Sequence, residues 1–245
     1  MTTGFYNNLM TDKYVLQRLD IYANLLNNHP ILKTDKKVKV VDIGGYMGDF
    51  YEYLKSMYPD LYNKLDYTIL DFDDDALKTA YSRGINVTKV NLHFDDISKV
   101  LPVSYDIVIC TEVLEHVLDP RKILKAVKEN MSSQSLCIIS LPNENTIFHR
   151  IYSLIGLGPD ACAFVPYGNH KHFHLPTITQ SRNLLTDFLK IEKEDYYINM
   201  SGIGSHFGFV SNIFQLFPDS FWNKLAHIFP NFFARGSVWL LSKEN

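Results

Sequence analysis

The stretch KKVKVVDIGGYMG, residues 36–48, joins a β-branched run to three glycines. The run from Lys36 to Ile43 is typical of a buried strand. Behind the glycines, residues 48–57 place apolar side chains on one helical face, and Pro59 ends that pattern. A strand that turns through glycines into a helix aims backbone N–H groups at a ligand. The stretch therefore predicts the first β-α unit of an α/β fold, with a binding turn after the strand.

The same alternation of strand and helix continues along the chain. Further apolar runs typical of strands lie at residues 67–70, 86–92, 105–110, 135–141, 190–198 and 237–242. Helices are predicted over 10–27 and 177–189, after the carboxylates Asp73-Asp74-Asp75, and after the N-cap pair Asp119-Pro120. Because the strands are apolar on both faces, the pattern predicts a doubly wound, mostly parallel seven-stranded sheet with helices on both sides.

An aromatic-rich stretch lies between the last two predicted strands, at residues 203–234. Its aromatic side chains include Phe207, Phe209, Phe214, Phe217, Phe221, Trp222, Phe229, Phe232 and Phe233. The stretch is longer than a hairpin connection needs, so we expect an insertion. The alternatives are that this stretch forms part of the core, a homodimer face, a peripheral membrane contact or the wall of a ligand pocket. Basic residues are sparse there, which counts against binding to anionic lipid. The favoured interpretation is a cap over the binding turn.

Composition and charge indicate which partners and which cellular compartment to expect. The formal net charge is −3 and charges of both signs are dispersed, so no nucleic-acid partner is expected. The three cysteines, Cys110, Cys137 and Cys162, form no CxxC pair, and reduced thiols are expected. Neither a signal peptide nor an apolar run of about 18 residues is evident, so we expect a cytoplasmic protein.

Asp71 is the second candidate binding residue. It ends the second predicted strand, where a carboxylate can accept hydrogen bonds from both hydroxyls of a ribose. This arrangement suits a ligand that contains adenosine. The turn reads D-x-G-G-x-x-G and lacks the G-x-G-x-x-G order of dinucleotide sites, which favours S-adenosylmethionine (SAM) over NAD.

Two further blocks carry a family resemblance. They are YDIVICTEVLEHVLDP, residues 105–120, and IISLPN, residues 138–143. In these blocks the sequence resembles the class I SAM-dependent methyltransferases, especially the small-molecule group that includes the ubiquinone-biosynthesis O-methyltransferases. The resemblance covers roughly residues 36–145, with a weaker match at His172-Phe173 and the terminal strands. It implies a Rossmann-like fold, SAM as cofactor and S-adenosylhomocysteine as product.

The resemblance also implies roles for single residues. Asp42 and Gly44 would face the methionine end of SAM, Asp71 would hold the ribose, and Asn91 would lie near the adenine. The implied cofactor-binding residues are Asp42, Gly44, Gly45, Gly48, Asp71, Phe72, Asn91, Thr111 and Glu112.

The chain departs from the family pattern at two of these places. Tyr46 replaces the usual middle glycine, which leaves the shape of the turn open although Gly48 is retained. Asn91 stands where the family often has an aspartate, so Asp95 or Asp96 could serve instead.

Three histidines are candidates for the general base. His172 belongs to the His-Phe pair that the family places on the acceptor side, and His174 follows it. His116 lies four residues after Glu112, and the two could share a helix face, although plain packing would also explain His116. On a strand, His172 and His174 would share one face, but no carboxylate or cysteine is spaced to complete a metal shell, so no metal is expected.

The predicted function is methyl transfer from SAM to a small-molecule acceptor. A hydroxyl oxygen is preferred as the acceptor atom because it is frequent in the family. The acceptor would be a sugar, a sugar-nucleotide or a phenolic, lipid-like metabolite. A non-catalytic SAM-binding partner subunit and a NAD-dependent oxidoreductase are the alternatives. The expected organisation is an N-terminal helical segment (1–35), a SAM-binding core (36–145), and an acceptor-side cap with the terminal strands of the same domain (146–245).

Overall fold

The structure is a computed structural model that describes residues 13–27, 29–33, 36–101, 105–154, 156, 172–198 and 217–244. The helices are α1 (Lys13–Asn27), α2 (Asp49–Met57), α3 (Pro59–Tyr62), α4 (Asp74–Ser82), α5 (Pro120–Asn130), α6 (Ile147–Leu154), α7 (Ile178–Thr186), α8 (Asp219–Ile228) and α9 (Pro230–Phe233). The strands are β1 (Val38–Ile43), β2 (Leu65–Asp71), β3 (Asn86–Lys89), β4 (Ile107–Thr111), β5 (Leu136–Pro142), β6 (Lys190–Tyr197) and β7 (Gly236–Ser242).

The seven strands form one sheet in the order β3-β2-β1-β4-β5-β7-β6. The five strands from β1 to β5 are parallel, whereas β7 runs antiparallel to both β5 and β6. The order reverses at β1, so the carboxyl ends of β1 and β4 flank the point where ligands bind in doubly wound sheets. The predicted mostly parallel seven-stranded sheet is confirmed.

Each face of the sheet buries its own apolar layer. Val41 and Ile43 of β1 join the layer that α5, α7 and α8 cover. Val38 and Val40 of the same strand join the layer beneath α1, α2 and α4. Burial of one such side chain contributes about 1.5–3 kcal/mol. This two-sided burial explains why the strands are continuous apolar runs.

The predicted helix starts are stabilised by capping side chains. Asp73 Oδ1 accepts hydrogen bonds from the N–H groups of Asp75 and Ala76 at the start of α4. Asp119 does the same for α5, in which Pro120 takes the first position. The acidic run at α4 is therefore a helix start, as its composition predicted.

The described part of the aromatic stretch contains α8 and α9. Trp222 is buried in the layer that includes α5 and α7, while Phe217, Phe221, Phe229 and Phe232 are exposed. Residues 203–216 and Cys162 lie outside the described residues, so the predicted cap stays a prediction. Cys110 and Cys137 are buried free thiols, as expected. No helix of the described residues combines the length and apolarity that crossing a membrane requires.

Candidate functional site

The turn after β1 is a tight cradle made by three glycines. Gly44 and Gly48 have φ angles of +72° and +83°, in the left-handed region that favours glycine. A Cβ on Gly48 would also overlap the side chain of Ile85, and a Cβ on Gly45 would stand 2.6 Å from Oδ2 of Asp42. Side chains are excluded at these positions because the turn packs tightly against the residues around it.

Tyr46 has a left-handed backbone conformation, which favours glycine. Its φ is +50°, and its backbone N–H donates to Oδ2 of Asp71 at 3.0 Å. Arg83, at the end of α4, donates from Nη1 to the carbonyl oxygen of Met47 at 2.8 Å and pairs with Asp49 at 3.2 Å. The turn with Tyr46 is therefore held by hydrogen bonds from both sides. The clamp by Arg83 was not predicted, because Arg83 lies far from the turn in sequence.

Asp71 lies where the sequence predicted, at the end of β2. Its Oδ1 accepts from the N–H groups of Phe72 and Asp73, at 2.7 and 3.0 Å, and its Oδ2 accepts from Tyr46. Burial raises the pKa of this carboxyl, and the three amides oppose that rise. A carboxylate has about four acceptor positions, so further acceptor capacity remains for a ligand hydroxyl.

Asp42 lies beneath the turn. Its Oδ2 accepts from the hydroxyl of Tyr67 at 2.7 Å, and only 4% of the residue is exposed. Burial raises its pKa to about 7; the Tyr67 hydrogen bond opposes the rise and the charge of Asp71 adds to it. Asp42 is thus held against the underside of Gly45, between β1 and β2.

The remaining predicted cofactor residues line the same edge of the sheet. Phe72 is 64% exposed beside Asp71, and Thr111 is the half-buried last residue of β4. Asn91 closes a small turn, in which its Oδ1 accepts from the N–H of His93 and its own N–H donates to Asp95. This turn ends β3 at Lys89, earlier than predicted. Asp96, the other alternative to Asn91, caps a short 3-10 turn at residues 97–99.

Glu112 is the most constrained acidic residue of the site. Its φ is +56°, and its Oε1 accepts from Ser140 Oγ and Tyr197 OH, both at 2.8 Å. Its Oε2 pairs with Arg18 of α1 at 2.7 Å. The expectation that Glu112 shares a helix face with His116 is wrong, because only Leu114–His116 form a 3-10 turn and Glu112 precedes it. Arg18 and Tyr197 were not predicted, since only the fold brings them to Glu112.

His116 and His172 come together although they are far apart in sequence. Their rings meet edge to face, with centroids 4.6 Å apart. Nδ1 of His172 pairs with Oε1 of Glu144 at 2.7 Å. Burial acts to raise the pKa of Glu144, but the hydrogen bond and charge of His172 bring it below its usual range.

Glu115 lies against this pair of histidines. One potential ligand atom each from Glu115, His116 and His172 lies within 4.8 Å of the others, an arrangement that could hold a metal ion. The carboxyl of Glu115 is buried, and burial followed by the charge of Glu112 raises its pKa well above the usual range. The premise that no carboxylate can complete a shell around the histidines is therefore wrong. The expectation that no metal binds is not tested by this arrangement and stays a prediction.

His174 points elsewhere. Its Nε2 lies 2.9 Å from the carbonyl oxygen of Val117, and residues 172–177 form no strand. The expectation that His172 and His174 share one face of a strand is therefore wrong. His174 instead lines a cavity of about 590 Å³ between residues 114–121, residues 173–176 and α7.

Val113 links the histidines to the glycine turn. A Cβ on Gly44 would lie 2.5 Å from Val113 Cγ2, and the carbonyl oxygen of Val113 accepts from the N–H of His116 at 2.9 Å. The cradle and the histidine pair are thus neighbouring parts of one site. The strand-turn-helix geometry and the carboxylate of Asp71 fit the adenosyl ligand that the sequence predicted.

Comparison with known proteins agrees with this geometry. Residues 15–188 match the family described as "Methyltransferase domain". A ubiquinone biosynthesis O-methyltransferase from Hydrogenovibrio crunogenus is 33% identical over 110 residues, which are 43% of this chain and 44% of that protein. The chain thus spans less than half the length of that relative.

Solved structures of two other proteins share the fold. A putative sarcosine dimethylglycine methyltransferase from Galdieria sulphuraria has a TM-score of 0.57 at 13% identity, over 94% of this chain and 86% of that one. A SAM-dependent methyltransferase from Archaeoglobus fulgidus has a TM-score of 0.54 at 18% identity, over 95% of this chain and all of that one (100%). Since the family match covers most of the chain and includes the glycine turn, Asp71 and His116, this protein belongs to the class I SAM-dependent methyltransferases, whose cofactor is S-adenosylmethionine.

Proposed function

We propose that the chain transfers a methyl group from SAM to a hydroxyl oxygen of a small molecule, with His172 as the general base. The observation that carries this proposal is the histidine pair, which adjoins the glycine turn through Val113. The choice of oxygen is supported by the curated relatives, which are named as O-methyltransferases.

The cofactor would be held by the turn and by the strand ends around it. Gly44, Gly45 and Gly48 set the shape of the turn, and Asp71 offers acceptor positions to the ribose. When bound, SAM supplies an electrophilic methyl group on a sulfonium. The remaining predicted contacts are Asp42, Phe72, Asn91, Thr111 and Glu112. Among these Glu112 has its carboxylate already held by Arg18, Ser140 and Tyr197, so its expected contribution is to shape the end of β4.

The acceptor side would lie across the sheet edge, where residues 146–245 contribute His172 and the cavity wall. A cavity of about 590 Å³ falls in the range of small-molecule sites. Its wall includes Leu118, Phe173 and Leu184, which suits an acceptor with an apolar body. A hydroxyl that attacks a methyl group must lose its proton, and the imidazole of His172 can accept one. The protein would otherwise act by holding the two reactants in line.

The test combines cofactor binding with turnover. Calorimetry should show binding of SAM and S-adenosylhomocysteine, and a screen of hydroxylated metabolites should reveal methyl transfer. His172→Ala should lower turnover by about 100-fold or more while the SAM affinity is kept, since a general base contributes about 10²–10⁴-fold. His227→Ala is the matched control, because His227 is exposed on α8 and pairs with Asp195.

Several results would overturn the proposal. Binding of NAD without SAM would assign an oxidoreductase, and SAM binding without turnover on any acceptor would favour a non-catalytic subunit. A fully active His172→Ala variant would remove His172 as the base. Loss of turnover in EDTA that Mg²⁺ restores would instead assign activation of the hydroxyl to a cation at Glu115, His116 and His172.

A further inference from the structure

We propose that Glu144 is a positioning residue, which holds His172 with a proton on Nδ1 and leaves Nε2 as the nitrogen that accepts a proton. The inference rests on the proposed role of His172 as the base. Oε1 of Glu144 lies 2.7 Å from Nδ1 of His172, and the side chains are 12% and 21% exposed. This ion-pair contact is thus largely shielded from water, where the attraction between opposite charges is stronger than on the surface.

A carboxylate oxygen this close to Nδ1 favours one tautomer of His172. An ionised carboxylate has acceptors only, so the proton between the two groups must be on Nδ1. In a neutral imidazole the other nitrogen, Nε2, then carries a lone pair. Glu144 thus determines which nitrogen of His172 can take a proton from an acceptor hydroxyl.

The backbone around Glu144 is held on both sides. Its own N–H donates to the carbonyl oxygen of Pro176 at 3.2 Å. The preceding residue, Asn143, donates from its N–H to the carbonyl of Arg235 at 2.7 Å and from Nδ2 to the carbonyl of Ala234 at 2.8 Å. The backbone of Glu144 is therefore anchored to the start of β7 and to the segment before α7. This fixes the position from which its side chain extends.

Two further contacts hold His172 and the residue after it. The ring of His116 packs edge to face against it at 4.6 Å. The next residue, Phe173, donates its backbone N–H to the carbonyl of Glu115 at 2.8 Å. With Glu144 at Nδ1 and the ring of His116 against it, the imidazole has little freedom to rotate. A base oriented in this way needs no rearrangement before the proton moves.

The first experiment is spectroscopic and needs no acceptor. Long-range ¹⁵N–¹H correlation spectra of the labelled protein, with His172 assigned by the His172→Ala variant, should report the Nδ1–H tautomer. Glu144→Gln, which keeps the shape but removes the charge, should shift that signal toward a mixture of tautomers. A wild-type His172 with its proton on Nε2 would overturn the inference, whatever the fate of the proposed function.

The second experiment is kinetic. We expect Glu144→Gln to lower kcat about tenfold to a hundredfold, the range for partners that orient a functional histidine, with less than a twofold change in the SAM dissociation constant. In the His172→Ala background the same substitution should have no further effect, because Glu144 acts only through His172. Glu194→Gln is the matched control, since Glu194 is 16% exposed and pairs with Arg182 at 2.8 Å.

The outcomes of these experiments distinguish the positioning role of Glu144 from the proposed function. Additive losses in the double variant, or an unchanged kcat in Glu144→Gln, would make Glu144 a structural ion pair only. If the wild-type protein transfers no methyl group at all, the proposed function fails, and the tautomer spectrum still decides whether Glu144 orients His172.

Discussion

The backbone N–H of Tyr46 and the carboxylate of Asp71 are joined by a hydrogen bond of 3.0 Å, which ties the glycine turn to the tip of β2. The same carboxylate accepts from the N–H groups of Phe72 and Asp73. Three amide donors converge on one acidic side chain, so its charge stabilises the turn as well as any bound ribose.

Asp71→Asn should therefore weaken SAM binding without unfolding the protein. The amide has the same shape, but its NH₂ group would face a backbone donor. We expect a loss of about 1.5–3 kcal/mol in binding free energy, the range for hydrogen bonds to a charged group. Calorimetric titration with SAM measures it. Asp73→Asn is the control, because asparagine caps a helix about as well as aspartate and should leave the affinity unchanged. Equal affinities for Asp71→Asn and the wild type would remove Asp71 from the site.

The sequence predicted the parts of this site that depend on local pattern. Strand β1, the glycine turn and the position of Asp71 follow from apolar periodicity and from the special backbone freedom of glycine. The pairing of His116 with His172, and of Glu112 with Arg18, depends on contacts between elements that lie far apart in the chain. Apolar periodicity and residue spacing contain no information about such contacts.

The end of a strand was the other feature that the sequence predicted wrongly. The third strand was predicted to continue to Leu92, because its residues are of the strand-forming type. It ends at Lys89, since Asn91 turns the chain by accepting from His93 and donating to Asp95. A side chain that bonds its own backbone competes with a strand, and this competition decided the boundary.

Gly48→Ala should destabilise the fold more than Gly84→Ala. Both glycines have left-handed φ angles, +83° and +82°, so both variants incur a backbone penalty of about 1–2 kcal/mol. A Cβ at Gly48 also overlaps Ile85, whereas a Cβ at Gly84 meets nothing within 4 Å. Overpacking should add about 1–3 kcal/mol at Gly48. Urea denaturation of the two variants measures the difference in free energy of unfolding. Equal destabilisation would show that the Ile85 side chain moves aside at little cost in free energy.

The buried carboxyl of Asp42 makes stability depend on pH. Its pKa is raised to about 7 in the folded protein from 3.8 in a model peptide, so between these values the folded state binds the proton that the unfolded state releases. Wild-type stability should therefore fall as pH rises through this window, by at most about 1.4 kcal/mol per pH unit. Asp42→Asn lacks this titration.

The free energy of unfolding of Asp42→Asn, relative to the wild type, should thus increase from pH 5 to pH 7 and then level off. Asp74→Asn is the control. The hydrogen bond and charge of Lys89 lower the pKa of Asp74, so its titration lies below this window and its difference should stay flat. A flat difference for Asp42→Asn would mean that Asp42 ionises normally in the folded protein.

Arg18→Ala should loosen α1 from the site. Arg18 is 18% exposed and pairs with Glu112, 23% exposed, at 2.7 Å, so the pair is only partly screened by water. Its loss leaves a constrained carboxylate with Ser140 and Tyr197 alone, and we expect a destabilisation of about 1.5–3 kcal/mol. Hydrogen exchange should rise in α1 more than in β4. Lys78→Ala, which breaks an exposed pair with Asp75 in α4, should leave the free energy of unfolding almost unchanged. If both variants lost the same small amount of stability, the Arg18–Glu112 contact would be a surface ion pair that contributes little to holding α1 on the sheet.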